Sequence, residues 1–281
     1  MADSVECFYP GSGFPAISVT GRACALNCKH CSRKYLEGMV PATTPEDLLQ
    51  IADALAQRGG MGFLLSGGSD QSGKIPLSSF VPAIKTIKST TDLKVNAHVG
   101  LAPRKELESL VDCGVDAFSM DLYGDDATVR DVLGLKAAAE DYFRVLDDLR
   151  DLGAPRVAPH ICVGIHEGKL GGEFKAIERL ARSPPDMLIL ISLIPTRGSA
   201  YEKVGAPDAS VVRSVIEKAK AEMPSTKLVL GCMRSKLDRG FEYDLVKAGL
   251  DGMVLPSVRT VERLRSEGYR IKKTATCCAL M

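Results

Sequence analysis

The sequence predicts an α/β fold, a single (β/α)8 barrel of the TIM type, and two observations support it. Short apolar or β-branched segments recur along the chain, and each is followed by an amphipathic stretch with helical period. This alternation is typical of repeated β–α units and of a parallel sheet. Eight such segments would just complete a (β/α)8 barrel, and a partial barrel would use the same pattern.

The predicted strands share short, mostly apolar runs, and the predicted helices share an apolar face at helical spacing. The strands are predicted at residues 16–20, 62–66, 94–99, 117–122, 156–165, 187–194, 227–232 and 252–255. Beyond the helix that starts near residue 45, helices are predicted at residues 77–88, 104–113, 127–149, 174–181, 210–222, 243–248 and 258–267.

The first helix carries the clearest start signal. Thr44 can cap it, Pro45 suits its first turn, and Glu46 and Asp47 favour the positive end of the helix dipole. An apolar face then follows at Leu48, Ile51, Ala52 and Leu55.

Composition bounds the organisation and the partners. No long Pro/Gly/Ser linker interrupts residues 1–281, so we predict a single domain with an N-terminal extension (1–15) and a C-terminal tail (270–281) near the barrel mouth. The net charge of +1 offers no basic stripe, so nucleic acid is not an expected partner. Without a long apolar run or a signal-like start, we expect no membrane span and a cytoplasmic location.

Three cysteines, Cys24, Cys28 and Cys31, follow the first predicted strand at C-x3-C-x2-C spacing. Nine cysteines in a reducing compartment are better explained as metal ligands than as disulfides. Three thiolates on one loop can hold three irons of a [4Fe–4S] cluster and leave the fourth iron open. A zinc site is the alternative, but it needs a fourth ligand, and His30 between two of the cysteines is badly placed to supply it.

This loop resembles that of the radical SAM superfamily. The resemblance implies that the open iron binds the amino and carboxylate groups of S-adenosylmethionine (SAM) and reduces its sulfonium to release a 5′-deoxyadenosyl radical. In that family the residue before the last cysteine is usually aromatic and lies over the adenine. His30 would take that place by stacking.

Further segments resemble SAM-binding elements of the same superfamily. Gly67-Gly68-Ser69 matches the Gly-Gly-Glu turn that binds the methionine amino group, with Ser69 in place of the acid. Asp121 matches the ribose-contacting position of biotin-synthase-like enzymes. Lys136 falls where a basic residue would meet the methionine carboxylate, with a solvated helix charge as the alternative.

Strand periodicity adds neighbours to this site. Ser119, Asp121 and Tyr123 share one face by the two-residue period of a strand. His98, near the end of the third predicted strand, points into the same cavity if the register is right; otherwise it is a core histidine.

Two later turns also resemble family elements. Gly164 and Glu167 match the end of a G-x-I-x-G-x-x-E element that lines the adenine pocket, although His160 and Cys162 replace its first glycine and isoleucine. The turn with Pro195 and Arg197 resembles the Pro-x-x-Gly-Thr turn of the biotin synthase group. We therefore expect Glu167, Pro195 and Arg197 among the SAM contacts.

The remaining cysteines divide into two groups. Cys113, at the end of a predicted helix, is expected to be a packing residue. Four others could meet over the barrel mouth as ligands of an auxiliary Fe–S cluster, with a flexible tail bearing two exposed thiols as the alternative: Cys7, Cys232, Cys277 and Cys278. Cys162 and Arg234 are reserve candidates.

A second cluster facing a SAM radical site favours sulfur insertion. From Phe8-Tyr-Pro through the cysteine loop to Leu230-Gly-Cys-Met-Arg234 and the Cys-Cys tail, the chain resembles the biotin-synthase-like group, and most of all components of archaeal two-component lipoyl synthases. That resemblance implies an octanoyl-lysine of a lipoyl-carrier protein as substrate, a sister radical SAM protein and a ferredoxin-like electron donor.

Two other functions stay open. One is a biotin-synthase-like or methylornithine-synthase-like enzyme that acts on a small molecule, the latter by rearrangement without a second cluster. The other is a non-catalytic Fe–S or zinc-binding barrel that binds a partner.

Overall fold

An eleven-stranded parallel sheet dominates the computed structural model, which describes residues 4–235 and 240–281. The strands are β1 (Ser4–Phe8), β2 (Ala16–Ser18), β3 (Val40–Pro41), β4 (Gly62–Ser66), β5 (Lys94–His98), β6 (Ala117–Asp121), β7 (Val157–Val163), β8 (Met187–Ser192), β9 (Lys227–Leu230), β10 (Gly252–Val254) and β11 (Arg270–Thr274). Their order across the sheet is β11-β1-β10-β9-β8-β7-β6-β5-β4-β2-β3.

Helices connect most of these strands, as expected of β–α units. They are α1 (Pro45–Gln57), α2 (Val81–Thr90), α3 (Arg104–Asp112), α4 (Asp126–Thr128), α5 (Ala139–Asp151), α6 (Glu173–Leu180), α7 (Ala209–Glu222), α8 (Glu242–Lys247) and α9 (Val258–Ser266). The predicted start of α1 is confirmed, because Thr44 accepts a hydrogen bond from the Asp47 N–H at 3.1 Å. The carboxylate of Asp47 accepts the Thr44 N–H in return at 3.0 Å.

The predicted continuous helix over residues 127–149 is wrong. The structure has α4, a π-helical turn at Val129–Leu133 and then a separate α5. Gly134 adopts a left-handed φ of +75° at the end of the π turn, which ends the first helical segment.

The predicted fold class is confirmed as a partial (β/α) barrel. All eight predicted strands form and lie in sequence order within the sheet. Among the described residues β10 pairs with β9 and β1, so the sheet does not close onto β2. The two predicted extensions contribute strands of their own, since β1 pairs with both β10 and β11.

Strand alternation separates two apolar clusters. Helix residues pack with strand residues such as Leu65 and Phe118 on the outer face of the sheet. The smaller cluster combines strand residues such as Ala117 and Ile189 with Cys278 and Ala279 of the last turn, Cys278–Leu280. It holds no residue of α1–α9, so the end of the chain packs inside the barrel.

Two aspartates fix the amino ends of strands in the same way. Asp116, just before β6, accepts hydrogen bonds from the Val95 N–H at 2.9 Å and from Lys88 Nζ at 2.6 Å. Asp251, just before β10, accepts from the Leu228 N–H at 2.9 Å and from Lys220 Nζ at 2.8 Å. Each carboxylate therefore joins a strand, the neighbouring strand and an outer helix.

No described helix is long and apolar enough to cross a bilayer.

Replacing Asp116 by Ala should lower the free energy of unfolding by about 2 kcal/mol, because the change leaves Lys88 and the Val95 N–H without their acceptor. Urea unfolding followed by circular dichroism measures this. Asp151→Ala is the matched control, since that side chain is 71% exposed and lies 3.6 Å from Arg104; we expect a change below about 0.5 kcal/mol. An equal loss of unfolding free energy in the two variants would contradict the stabilising role of Asp116.

The contribution of Asp116 should also depend on pH. Burial raises the pKa of this carboxyl, but the hydrogen bonds from Lys88 and Val95 outweigh burial and hold it below its usual value. A lowered pKa means that the stabilisation is present at neutral pH and is lost as the pH falls through the folded-state pKa. The difference between wild type and Asp116→Ala should therefore shrink in acid.

Candidate active site

The three cysteines lie on the loop that leaves the carboxyl end of β2. Cys24, Cys28 and Cys31 all line one cavity of about 230 Å³. Cys28 is buried and its thiol donates to the Leu133 carbonyl at 3.6 Å, whereas Cys24 and Cys31 are half-buried. The loop thus presents three sulfurs to one space at the carboxyl edge of the sheet.

The polar groups of this loop fit a multinuclear cluster. A hydrogen bond between the thiols raises the pKa of Cys28 and lowers that of Cys31, which His30 lowers further. His30 Nδ1 is buried and has no hydrogen-bond partner among the described residues. Among residues 4–235 and 240–281, no three His, Cys, Asp or Glu side chains converge on a single ion position. Three thiols on one loop that face one cavity suit a [4Fe–4S] cluster whose thiolates bind separate irons.

The turn after β4 clamps the cysteine loop. The Gly68 N–H donates to Thr20 Oγ1 at 2.7 Å, and the Ser69 carbonyl accepts the Ala25 N–H at 2.8 Å. A Cβ atom at position 68 would lie 2.6 Å from Cys24 Cβ, so the close approach requires glycine. Gly67, Gly68 and Ser69 all line the cavity, as expected. The Ser69 carbonyl, however, holds the cysteine loop.

A histidine–carboxylate pair also lines this cavity. His98 Nε2 lies 3.4 Å from the Asp121 carboxylate, and both side chains line the cavity. Burial raises the pKa of Asp121, but the charge and hydrogen bond of His98, with smaller contributions from His160 and His30, lower it to about 2. Burial lowers the pKa of His160 to about 4, so this imidazole is neutral near pH 7.

Residues deeper in the barrel continue this polar face. Ser119 Oγ donates to Asn96 Oδ1 at 3.0 Å, and both residues are buried. Tyr123 lines the cavity and packs edge-on against Tyr142 with ring centroids 4.9 Å apart. Tyr142 was missed by the sequence reasoning because its position depends on how α5 packs.

Four expected SAM contacts lie outside the lining of the cavity. Lys136 is exposed, although its neighbour Leu135 lines the cavity, and Glu167 is exposed at a left-handed φ of +57°. Pro195 is half-buried and Arg197 exposed, on a turn that contacts the cysteine loop through Thr196 and Tyr35, whose hydroxyls are 3.2 Å apart. The assignment of these four to SAM stays a prediction.

The buried acid near Gly164 is Glu173, which the sequence reasoning missed. Its carboxylate accepts the N–H groups of Gly164 at 2.7 Å and Gly171 at 2.6 Å. Glu173 therefore braces the loop after β7. Two consecutive glycines directly before it were the available signal.

The remaining cysteines do not all meet. Cys277 lies inside the barrel, where its thiol accepts from Asn96 Nδ2 at 3.5 Å, and Cys278 is only 5% exposed. Cys232 is close enough for its charge to raise the pKa of Cys278. The alternative of two exposed tail thiols is therefore wrong.

Cys7 and Cys113 belong to the outer face of the sheet. Cys7 packs in the outer cluster whereas the adjacent Phe8 packs inside the barrel, as strand alternation requires. Burial raises the pKa of Cys7 to about 11. Cys7 thus faces away from the tail thiols, contrary to the predicted meeting of four cysteines. Cys113 is buried at the end of α3, consistent with packing.

The family follows from a comparison with known proteins. Residues 18–169, more than half of the chain, match the Radical SAM superfamily. The chain belongs to the radical SAM superfamily. Membership implies a [4Fe–4S] cluster and SAM, and Cys24, Cys28 and Cys31 are the residues that would hold the cluster.

Known relatives and solved structures agree with this assignment. A biotin synthase from Thermotoga neapolitana is 25% identical over 256 residues, which cover 85% of this chain and 86% of the relative. A crystal structure of the [FeFe]-hydrogenase maturase HydG superposes with a TM-score of 0.67 at 15% identity, covering 90% of this chain and 57% of that one. Methylornithine synthase (PylB) gives 0.60 at 15% identity, covering 96% and 83%. The structural likenesses show a shared fold.

Gly68→Ala should displace the cysteine loop, because the added Cβ would meet the Ala23 carbonyl and crowd Cys24. We expect loss of bound iron and a roughly hundredfold loss of 5′-deoxyadenosine formation after anaerobic reconstitution. Gly38→Ala is the control, since a Cβ there meets nothing within 4 Å. Wild-type iron content and product in Gly68→Ala would refute the clamp.

Asp121→Asn should weaken SAM binding by roughly tenfold, because a carboxylate accepts stronger hydrogen bonds than an amide. Equilibrium dialysis with radiolabelled SAM on the reconstituted protein measures this. A pKa of about 2 keeps Asp121 ionised, so the effect should be the same at about pH 6 and pH 8. Asp131→Asn, which removes a carboxylate paired with Arg130, should leave the affinity unchanged. Unchanged affinity in Asp121→Asn would exclude the ribose-contacting role.

Proposed function

We propose that this chain is a radical SAM enzyme that inserts sulfur into a protein-bound octanoyl-lysine to build the lipoyl cofactor. The observation that carries the proposal is the position of Cys277 and Cys278, which lie inside the barrel rather than on a free tail. A sulfur donor has to face the carbon that the radical attacks, so the donor's ligands belong inside the barrel.

The positions of residues along β5 and β6 support a location of the tail thiols below the cavity that the cysteine loop lines. Asn96 and Ser119 precede His98 and Asp121 by two residues on β5 and β6, so they lie one step deeper on the same inward face. The Cys277 thiol accepts a hydrogen bond from the Asn96 side chain. The tail thiols therefore lie on the amino-end side of the residues that line the cavity.

Cys232, Cys277 and Cys278 are the residues that would hold an auxiliary Fe–S cluster. Their thiols are close enough for electrostatic interaction between Cys232 and Cys278 and for a hydrogen bond between Cys277 and Cys278. When bound, the two clusters and SAM supply the radical and the sulfide. The chain itself contributes anchoring thiolates, a binding face for SAM and a barrel interior that excludes water.

The inner wall suits an alkyl substrate. Ile189, Val229 and Val254 line the barrel interior, and Ile191 and Leu255 pack against them. These side chains are buried under the chain's own end, so an octanoyl chain would bind them through apolar burial where that end moves aside, with its lysine end at the open mouth. The proposal includes a sister radical SAM protein for the second insertion and a ferredoxin-like electron donor.

A second candidate function rests on a different observation. His98, Asp121, His160 and Asn96 make the upper interior polar, which suits a small polar molecule. A biotin-synthase-like or methylornithine-synthase-like reaction would use this face. Iron and sulfide analysis separates sulfur insertion from rearrangement: about eight irons per chain support sulfur insertion, and about four support a methylornithine-synthase-like rearrangement. Failure to form any 5′-deoxyadenosine would leave a non-catalytic binding barrel.

Cys277→Ala/Cys278→Ala should abolish sulfur transfer and leave SAM cleavage within about twofold of wild type, because the cysteine loop and its cavity stay intact. The assay combines SAM, a strong reductant and an octanoyl-lysine peptide, with mass analysis for added sulfur and for 5′-deoxyadenosine. Bound iron should fall from about eight to about four per chain.

Cys113→Ala is the control for this experiment, since that buried thiol lies on the outer face of the sheet. It should retain both activities and the full iron content. Retained thiolation in the tail variant would overturn the role of the tail, and absence of thiolation in the wild type would overturn sulfur insertion on this substrate.

A further inference from the structure

Positive charge is concentrated where α9 and β11 follow each other. Residues 258–273, here called the basic edge, contain six Arg or Lys and two Glu, a net charge of +4 in a chain of net charge +1. The rest of the chain is therefore net negative. The net charge of +1 for the whole chain hides this segment.

A cleft of about 550 Å³ opens along the basic edge. One wall is α9, which contributes Val258, Val261 and Arg265 at helical spacing. Tyr9 and Lys273 stand among the residues of the other wall. The helix also contributes Glu262, so the cleft has one carboxylate beside its two cations.

The cations of the basic edge differ in how they are used. Lys272 pairs with Glu6 at 2.9 Å, and the guanidinium of Arg263 stacks on Tyr243 at 3.7 Å. Arg265 and Lys273 form no ion pair with any described carboxylate, and Lys273 Nζ lies 5.9 Å from the centroid of the Tyr9 ring. Two cations without an ion-pair partner among the described carboxylates thus face the cleft.

An apolar contact accompanies this charge. Val258 is 73% exposed at the start of α9, the most exposed of the large hydrophobic side chains described. An exposed apolar residue beside unpaired cations is typical of protein-binding surfaces, in which charge steers the partner and apolar contact holds it.

The cleft lies at the carboxyl ends of the strands, as does the cavity lined by the cysteine loop. Tyr9 follows β1, Thr274 ends β11 and Pro256 follows β10, so all three mark carboxyl ends of parallel strands. The cysteine loop also leaves from a carboxyl end, that of β2. A partner on the basic edge would therefore have access to the mouth of the barrel.

We propose that the basic edge is the docking surface for an acidic protein that carries the substrate on a lysine. This inference rests on the proposed function and names the surface that its carrier would use. Charge complementarity selects an acidic partner, and Val258 with Val261 receives an apolar side chain of that partner. Nucleic acid is disfavoured because the rest of the chain is net negative.

The test is direct binding of a fluorescently labelled, octanoylated lipoyl-carrier domain to the reconstituted enzyme. Arg265→Glu/Lys273→Glu should weaken binding by roughly tenfold or more, and wild-type binding should weaken as salt is raised. Arg58→Glu/Lys85→Glu is the matched control, since Arg58 directly follows α1, Lys85 lies on α2, and both exposed side chains are far along the sheet from β11. Thermal unfolding checks that each variant folds.

Activity on two substrates separates this inference from the proposed function. The charge-reversed variant should thiolate a short octanoyl-lysine peptide as wild type does and lose activity on the carrier domain. Unchanged carrier binding in that variant, an equal loss in the control, or equally tight binding of an RNA oligomer would overturn the docking surface. Failure of the wild type to thiolate either substrate would overturn the proposed function, while the binding measurement would still decide the docking surface.

Discussion

The close contact between the cysteine loop and the Gly67–Ser69 turn is the constraint on which the site depends. β2 and β4 pair in parallel with Ser18 opposite Ser66, so the two loops leave the sheet side by side. The backbones can touch only because position 68 has no side chain. The Gly68 N–H then donates to the Thr20 hydroxyl, and the Ala25 N–H donates to the Ser69 carbonyl, and these two hydrogen bonds fix the loop to the turn. The three sulfurs are therefore positioned by the main chain together with the Thr20 side chain.

Parallel register extends this order to β5, β6 and β7. His98 is paired with Ser119, and Asp121 with His160, so the inward side chains of β5, β6 and β7 are staggered along the barrel. His98 and Asp121 are nearest the mouth, Asn96 and Ser119 precede them by two residues and share a hydrogen bond, and Ala117 and Ala158 pack in the apolar interior. On the proposed function, the polar end of this gradient would receive the charged cofactor and the apolar interior would receive the alkyl chain or the chain's own end.

The features that sequence could predict are local. Eight strands, the α1 cap, the cysteine loop, the glycine turn and the inward face with Asp121 depend on neighbours within one β–α unit. The failures depend on distant contacts. β11 has the charged sequence Arg-Ile-Lys-Lys-Thr and becomes a strand only by pairing with β1. Likewise, Cys277 lies inside the barrel, where it accepts a hydrogen bond from Asn96, which is 181 residues away in the sequence. Glu173 takes the buried position near Gly164, and Glu167 remains exposed, because the loop after β7 folds back on its own glycines.

A short segment of chain connects β11, at the edge of the open sheet, to Cys277 inside the barrel. Among the described residues β10 pairs with β1 and not with β2, and β11 lies at the edge of the sheet. Residues 275 and 276 alone separate the end of β11 from Cys277, and Thr274 to Cys277 spans at most about 10 Å of extended chain. The surface of the basic edge and the interior thiols are thus two ends of one short segment. A partner held at β11 is consequently close to the tail thiols by covalent geometry, whatever the side chains between them do.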